Sequence, residues 1–114
     1  MECTMKQLCS VWLFITCVAG FAFAAGDRAV GRPAVSIENL QYKPLEITVK
    51  RGDTVVWTNN DDRDHTVIAK DGSFRSRNIK SGEIFEHTFT KSGRFAYGCT
   101  YHPRMKGLVI VSDP

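Results

Sequence analysis

Helical periodicity is missing from this sequence after its first 25 residues, because no stretch there repeats its apolar residues at intervals of three and four. No internal repeat or low-complexity segment occurs either. Cysteine, methionine and histidine are scarce, with four, three and three residues among 114. Basic residues do not form a stripe with interleaved aromatics, so nucleic acid is not an expected partner. These absences favour a small β-rich domain with few residues available for chemistry.

The one long apolar run spans residues 8–19, close to the start of the chain. It follows Lys6 and leads to Ala22-Phe23-Ala24, after which the sequence turns polar. A positive start, an apolar middle and a small-residue exit predict a secretory signal peptide over residues 1–24, with cleavage after Ala24 or, as the second choice, after Ala25. A membrane anchor is the alternative, but the run is short for a bilayer span. We therefore expect an exported, periplasmic protein with no membrane attachment after cleavage.

Cleavage would change the cysteine count. Cys3, Cys9 and Cys17 would be removed, and the single domain of residues 25–114 would keep Cys99 alone, with a net charge still of +3. Exported proteins use cysteines in pairs, so a single one needs a reason. Metal ligation supplies one, because a coordinated thiolate is not free to oxidise. The alternative is a buried, inert cysteine.

Apolar and polar residues alternate with a period of two over several short stretches after residue 34. Turn-forming Gly, Asp and Ser residues separate these stretches at close spacing, which predicts an all-β domain, either a β-sandwich or a small barrel. Residues 59–64 are interpreted as a solvated polar loop, and residues 73–80 show little pattern. The alternating residues are Val35, Ile37, Leu45, Ile47, Val49, Trp57, Phe85, His87, Phe89, Phe95, Tyr97 and Cys99, and residues 108–111 form a last apolar strand.

A thiol, an imidazole and a thioether follow the last of these alternations at intervals of three residues, as Cys99, His102 and Met105. A thiolate with imidazoles and a distant methionine sulfur is the ligand set of a mononuclear electron-transfer copper site. Such a site needs a second histidine, and His65 is the leading candidate. Zinc favours four strong ligands, so Met105 argues for copper. His87 alternates with phenylalanines in a predicted strand and is expected to be structural.

The segment Cys99-Thr100-Tyr101-His102-Pro103-Arg104-Met105 resembles the ligand loop of the cupredoxins, and specifically that of the amicyanin branch, Cys-Thr-Pro-His-Pro-x-Met. The resemblance extends through residues 52–59, His65 and residues 87–93. It implies a Greek-key β-sandwich that binds one copper ion, cycling between Cu(I) and Cu(II). It also implies that His65, Cys99 and His102 are the equatorial ligands and Met105 the axial one.

The same resemblance implies that Asn59 hydrogen-bonds across to Thr100 and ties the two ligand loops together. Two features depart from the family pattern. Tyr101 replaces a proline and restores an N–H, which we hypothesise donates to the Cys99 sulfur. Arg104 and residues 62–64 are charged where amicyanins present apolar residues to methylamine dehydrogenase, so the resemblance does not assign that partner to this chain.

The expected function is that of a soluble periplasmic one-electron carrier, monomeric, with redox partner proteins (a dehydrogenase or a cytochrome) docking near His102. The mild positive charge favours a partner with an acidic face. Enzyme activity is not expected, because about 90 residues leave no room for a second catalytic metal centre. Copper carriage or delivery is the alternative function, although such proteins tend to use open sites rich in methionine or histidine. A zinc-bound structural module is a third reading.

Overall fold

The computed structural model describes residues 32–114, and within this range the chain forms β-strands and loops without any helix. The predicted signal peptide of residues 1–24 and the domain boundary at residue 25 lie outside the described residues. No helix in the described part of the chain could cross a membrane. The eight strands are β1 (Ala34–Glu38), β2 (Gln41–Lys43), β3 (Glu46–Lys50), β4 (Thr54–Asn59), β5 (Ile68–Ala69), β6 (Ile84–Thr88), β7 (Gly93–Gly98) and β8 (Lys106–Ser112).

The strands form two four-stranded sheets, with the orders β2-β1-β4-β6 and β3-β8-β7-β5. The β1–β4 and β3–β8 pairs are parallel, and the remaining neighbours are antiparallel. Each sheet buries one face, as the alternation in the sequence predicts. The prediction of an all-β sandwich is therefore confirmed.

The core lies between the sheets and is rich in aromatic rings. Trp57 on β4 is fully buried and packs its ring edge-on against Tyr97 on β7, with ring centroids 5.6 Å apart. Phe85, Phe74 and Phe89 also pack around Trp57, with ring centroids at 5.6, 6.0 and 6.5 Å. Aromatic rings of this size supply much of the apolar area that a small domain needs to bury. The prediction that Trp57 belongs to the core is confirmed.

Three details differ from the sequence expectations. Leu45 is 66% exposed instead of half-buried, because it precedes β3, which is an edge strand whose first residues the opposite sheet does not cover. Asn59 does not lie in a solvated loop, since it ends β4 with its side chain buried. Residues 73–80 carry no strand pattern, yet Phe74 and Ile79 are buried core residues.

A two-residue turn, Asn39–Leu40, joins β1 to β2. Glu38 pairs with Gln41, and both turn residues have positive φ, of 53° and 59°, as a type I′ hairpin turn requires. Glycine is the preferred second residue of this turn, because a side chain is strained there. Leu40 occupies that position with its side chain exposed.

Candidate metal centre

Two loops meet at one end of the sandwich. The loop of residues 60–67 follows β4 and carries His65, whereas the loop of residues 99–105 joins β7 to β8 and carries the other three predicted ligands. The backbone of His65 exchanges two hydrogen bonds with that of Ile79, with N···O distances of 3.1 and 2.8 Å. Residues 73–80 therefore hold the first loop in place.

The sulfur of Cys99 lies between two imidazole nitrogens. Its Sγ is 3.8 Å from Nδ1 of His65 and 3.7 Å from Nδ1 of His102. The three donor atoms all lie within 4.8 Å of one another. Ligands about 2.0–2.3 Å from a common ion and about 120° apart around it would be separated by about 3.7 Å. The donor set and its spacing therefore fit a single soft metal ion such as copper.

The ligand cluster is closed to solvent except at one residue. His65 is fully buried and Cys99 is 8% exposed, whereas His102 is only half-buried. A buried thiolate and imidazole are shielded from water and from competing ligands. His102 thus provides the exposed edge of the cluster.

Asp61 holds His65 in the orientation that the site needs. Its Oδ2 lies 2.9 Å from Nε2 of His65, and the same oxygen accepts a hydrogen bond of 3.0 Å from the backbone N–H of Leu40. Burial pushes the pKa of Asp61 upward, but the hydrogen bonds from His65, Leu40 and Asp62 outweigh it and lower the pKa overall. An ionised Asp61 keeps the proton of His65 on Nε2 and leaves the Nδ1 lone pair directed at the cluster.

The two ligand loops are tied together by Thr66, not by Asn59 as the resemblance implied. The Oγ1 of Thr66 accepts a hydrogen bond of 2.8 Å from the backbone N–H of Thr100, and the two hydroxyls are 3.2 Å apart. The prediction for Asn59 was wrong because its amide donates to the first ligand loop and to the segment that braces it, and not to the second loop. It donates to the carbonyls of Arg63 and Ile79, at 2.7 and 2.8 Å.

Tyr42 supports the same loop from β2. Its hydroxyl donates a hydrogen bond of 2.6 Å to the carbonyl of Thr66. Burial raises the pKa of Tyr42 well above its usual value, with smaller contributions from the charges of Cys99 and Tyr97. The hydroxyl therefore stays protonated and remains a donor to the loop.

Met105 ends the second loop, next to the other predicted ligands in sequence. It is 3% exposed, and its N–H donates a hydrogen bond of 2.9 Å to the carbonyl of His102, which closes the turn. A Cβ on Gly98 would lie 3.0 Å from the carbonyl oxygen of Met105. The glycine thus allows the backbone of Met105 to approach β7 closely.

The remaining sequence hypotheses concern Tyr101 and His87. Within residues 32–114, the hydrogen-bonding contacts of the Cys99 sulfur are the two imidazole nitrogens, and the N–H of Tyr101 is not among them. His87 lies outside the ligand cluster, with its ring 4.8 Å from that of Phe74 and 4.7 Å from that of Phe89. The expectation that His87 is structural is confirmed.

Sequence reasoning missed Asp61 and Thr66. Asp61 was interpreted as a solvated loop residue, although its position four residues before a candidate ligand is a usable signal. Carboxylates commonly accept the second N–H of a metal-bound histidine. Thr66 carries no comparable signal, because its role depends on how close the two loops approach in space.

The fold and the donor set together define a class of protein. The family described as "Copper binding proteins, plastocyanin/azurin family" matches residues 31–112. The chain belongs to this family, and copper is accordingly its metal. Within the cupredoxins it is amicyanin-like, as the ligand loop indicated.

The similarity to amicyanins is evident in sequence and in structure. The chain is 35% identical to the amicyanin of Paracoccus versutus over 102 residues, which cover 85% of this chain and 77% of the relative. It superposes on a reduced amicyanin mutant with a TM-score of 0.68 at 32% identity, covering 74% of this chain and 85% of that one. A purple cupredoxin from Nitrosopumilus maritimus matches with a TM-score of 0.66 at 32% identity, covering 70% and 99%.

Proposed function

We propose that this chain is an exported, periplasmic one-electron carrier whose single copper ion is held by His65, Cys99, His102 and Met105. The observation that carries the proposal is the preformed group of three donors, with the Cys99 sulfur 3.7–3.8 Å from both Nδ1 atoms. Bound copper supplies the reversible one-electron change between Cu(I) and Cu(II).

The residues around the donors favour electron transfer because they hold the cluster rigidly. Asp61 fixes the ring of His65, and the Thr66–Thr100 hydrogen bond links the two loops. Ligands that cannot move far impose similar geometry on both oxidation states, which keeps the rearrangement at each transfer small. A redox partner protein would reach the site at the half-buried edge of His102.

Copper delivery to another protein is less well supported, because the described residues contain one methionine and three histidines, and one of those histidines is structural. An open site rich in extra soft ligands is therefore absent from residues 32–114. A zinc-bound module would have no use for a buried methionine at the end of the ligand loop.

Copper loading of the mature protein tests the proposal. We expect an intense visible absorption in the Cu(II) form, reversible reduction at an electrode without metal loss, and loss of both in His65→Ala. A colourless protein that releases Cu(I) readily to a chelator would contradict the carrier function and support delivery.

A further inference from the structure

We propose that the chain carries a second binding site, for a small aromatic carboxylate, in a pocket of about 290 Å³ away from the metal ligands. The residues that line this pocket are Ser73, His87, Thr88, Phe89, Thr90, Lys91 and Phe95. None of them belongs to the metal site. The inference therefore goes beyond the proposed function and does not depend on it.

The pocket exists because β5 is too short to cover the whole of β7. β5 has two residues, which pair with Tyr97 and Gly98. Among the described strands, β8 is therefore the one neighbour of the first half of β7, which carries Phe95. In the other sheet, β6 is an edge strand and contributes His87. The pocket lies along this uncovered side, between the two sheets.

The pocket lies toward the end of the sandwich opposite the metal ligands. Thr88 pairs with Thr54, the first residue of β4, whereas the loop of residues 60–67 follows the last residue of that strand. Phe95 precedes Cys99 by four residues, a distance of about 13 Å at the usual rise of a strand. A molecule held in the pocket would therefore bind without contacting the metal ligands.

Aromatic rings form the wall of the pocket. The rings of Phe89 and Phe95 have centroids 5.5 Å apart, and the imidazole of His87 packs edge-on against Phe89 at 4.7 Å. Phe89 is buried and Phe95 is half-buried. A flat apolar ring gains contact area in such a wall, whereas an inorganic anion or an aliphatic acid gains little.

Lys91 gives the pocket a preference for negative charge. Its side chain forms no ion pair with any residue from 32 to 114. No acidic side chain lines the pocket, so the ammonium has no competing carboxylate there. An apolar pocket with one unpaired cation at its edge complements a ligand that carries a ring and a single negative charge.

The imidazole of His87 adds a donor that lacks a polar partner within the described part of the chain. Burial alone lowers the pKa of His87, with no contribution from a hydrogen bond or a neighbouring charge. The side chains around it are apolar, namely Phe74, Phe89 and Val55, its partner on β4, and Lys91 is the one other titratable group that lines the pocket. An N–H in these surroundings can donate to a carboxylate.

The size of the pocket limits the ligand. Small-molecule sites usually span about 300–1,000 Å³, and this pocket lies at the lower limit. A single aromatic ring with one carboxylate fits this volume. Its ring would lie against Phe89 and Phe95, and its carboxylate would accept hydrogen bonds from Lys91 and His87.

Benzoate is the probe, and the copper(I)-loaded protein is the form to titrate. NMR signals of His87, Lys91 and Phe95 should shift with a dissociation constant on the order of millimolar, as a ligand this small permits. Benzamide has the ring without the charge, and acetate has the charge without the ring. Each should bind at least about fivefold more weakly than benzoate.

Three results of this titration would overturn the proposal. The first is equal binding of benzoate and benzamide, and the second is equal binding of benzoate and either acetate or inorganic phosphate. The third is a set of shifts confined to the two metal-ligand loops.

Lys91→Gln should weaken benzoate binding by about threefold to tenfold and leave benzamide binding unchanged. The matched control is Lys50→Gln, which removes the same charge from another lysine that forms no ion pair within residues 32–114. Lys50 ends β3, the edge strand on the far side of its sheet from β5. Equal losses in the two variants would show that net charge alone governs binding.

Phe95→Leu tests the aromatic wall with little change in volume. It should weaken benzoate and benzamide alike, by about threefold, and leave acetate unaffected. Unchanged binding of benzoate to the folded variant would contradict the proposal. Phe95→Leu and Lys91→Gln leave the four proposed metal ligands intact, so the colour and reversible reduction of the loaded protein report the carrier function separately.

His87 gives a readout that a purely structural residue would not. A bound anion favours the imidazolium, so saturating benzoate should raise the pKa of His87 measured by NMR. By linkage, benzoate should bind more tightly as the pH falls through that pKa, and this dependence should disappear in His87→Gln. A pKa of His87 that benzoate leaves unchanged would overturn the placement of the carboxylate.

Discussion

The carboxylate of Asp61 lies 2.9 Å from Nε2 of His65, four residues further along the same loop. This contact sets the tautomer of His65, because the proton is held between Nε2 and the carboxylate. Nδ1, 3.8 Å from the Cys99 sulfur, is then free to bind a metal. Asp61 thus orients His65 through the ring nitrogen that is not directed at the Cys99 sulfur.

Replacing Asp61 with alanine should weaken copper binding by about 10–100-fold, the usual effect of losing a partner that orients a metal-bound histidine. Competition with a Cu(I) chelator measures this affinity. Asp61→Asn keeps an acceptor oxygen, so its copper affinity should lie between that of the parent and that of Asp61→Ala. Asp62→Ala is the control, because the side chain of Asp62 is 90% exposed. Wild-type affinity in Asp61→Ala would show that His65 needs no such support.

Thr66→Val should lower the stability of the domain by about 1–2 kcal/mol, because the N–H of Thr100 loses its acceptor. Thr66→Ser retains the hydroxyl and should recover most of the loss. Guanidinium unfolding of the copper-loaded proteins measures both. If Thr66→Ser were as unstable as Thr66→Val, the methyl group and not the hydrogen bond would be responsible.

Met105→Leu should retain copper and its colour, since three strong donors remain, but should raise the reduction potential. Met105 would supply copper with a weak sulfur donor, and its loss would favour Cu(I) over Cu(II). Voltammetry of the loaded protein gives the potential. An unchanged potential together with an unchanged spectrum would remove Met105 from the ligand set.

Gly107→Ala should destabilise the fold by about 1–3 kcal/mol or more through overpacking. A Cβ at this position would overlap the ring of Tyr97, its partner across β7 and β8. The ring is buried and cannot move aside easily. Urea unfolding of both glycine variants measures the effect, with Gly98→Ala as the milder comparison because its closest contact is at 3.0 Å. Equal costs in the two variants would contradict the role of the ring.

His87 should make stability depend on pH in mildly acidic solution. Burial lowers the pKa of His87, so the unfolded chain binds a proton at a higher pH than the folded chain does. Stability should therefore fall as the pH drops from about 6.5, the unfolded value, through the lower folded value. Between these two pH values, the urea midpoint should vary less with pH in His87→Gln than in the parent. Parallel curves would assign the dependence to other groups.

Much of this protein could be predicted from its sequence because the relevant signals are local. The period-two alternation placed Val35, Ile37, Trp57 and Tyr97 inside the sandwich, where they lie. The spacing of Cys99 and His102 is set by one short turn, and the structure brings both to His65. The alternation wrongly predicted that Leu45 is half-buried, because coverage by the opposite sheet decides burial at this position.

The parts that could not be predicted depend on the approach of separate loops. Thr66 reaches Thr100 only because two loops 34 residues apart meet at one end of the sandwich. Ile79 braces His65 from a segment without any regular period. Leu40 belongs to no alternating stretch of the sequence, and its left-handed backbone is visible only in the structure.

The burial of Cys99 behind His102 bears on how the protein is assembled. The thiol is 8% exposed, so a folded chain presents almost no sulfur to oxidants or to other thiols. A chain that has folded before it meets copper therefore shields its sulfur from oxidation. Metal binding can follow folding without the thiol first standing open to solvent.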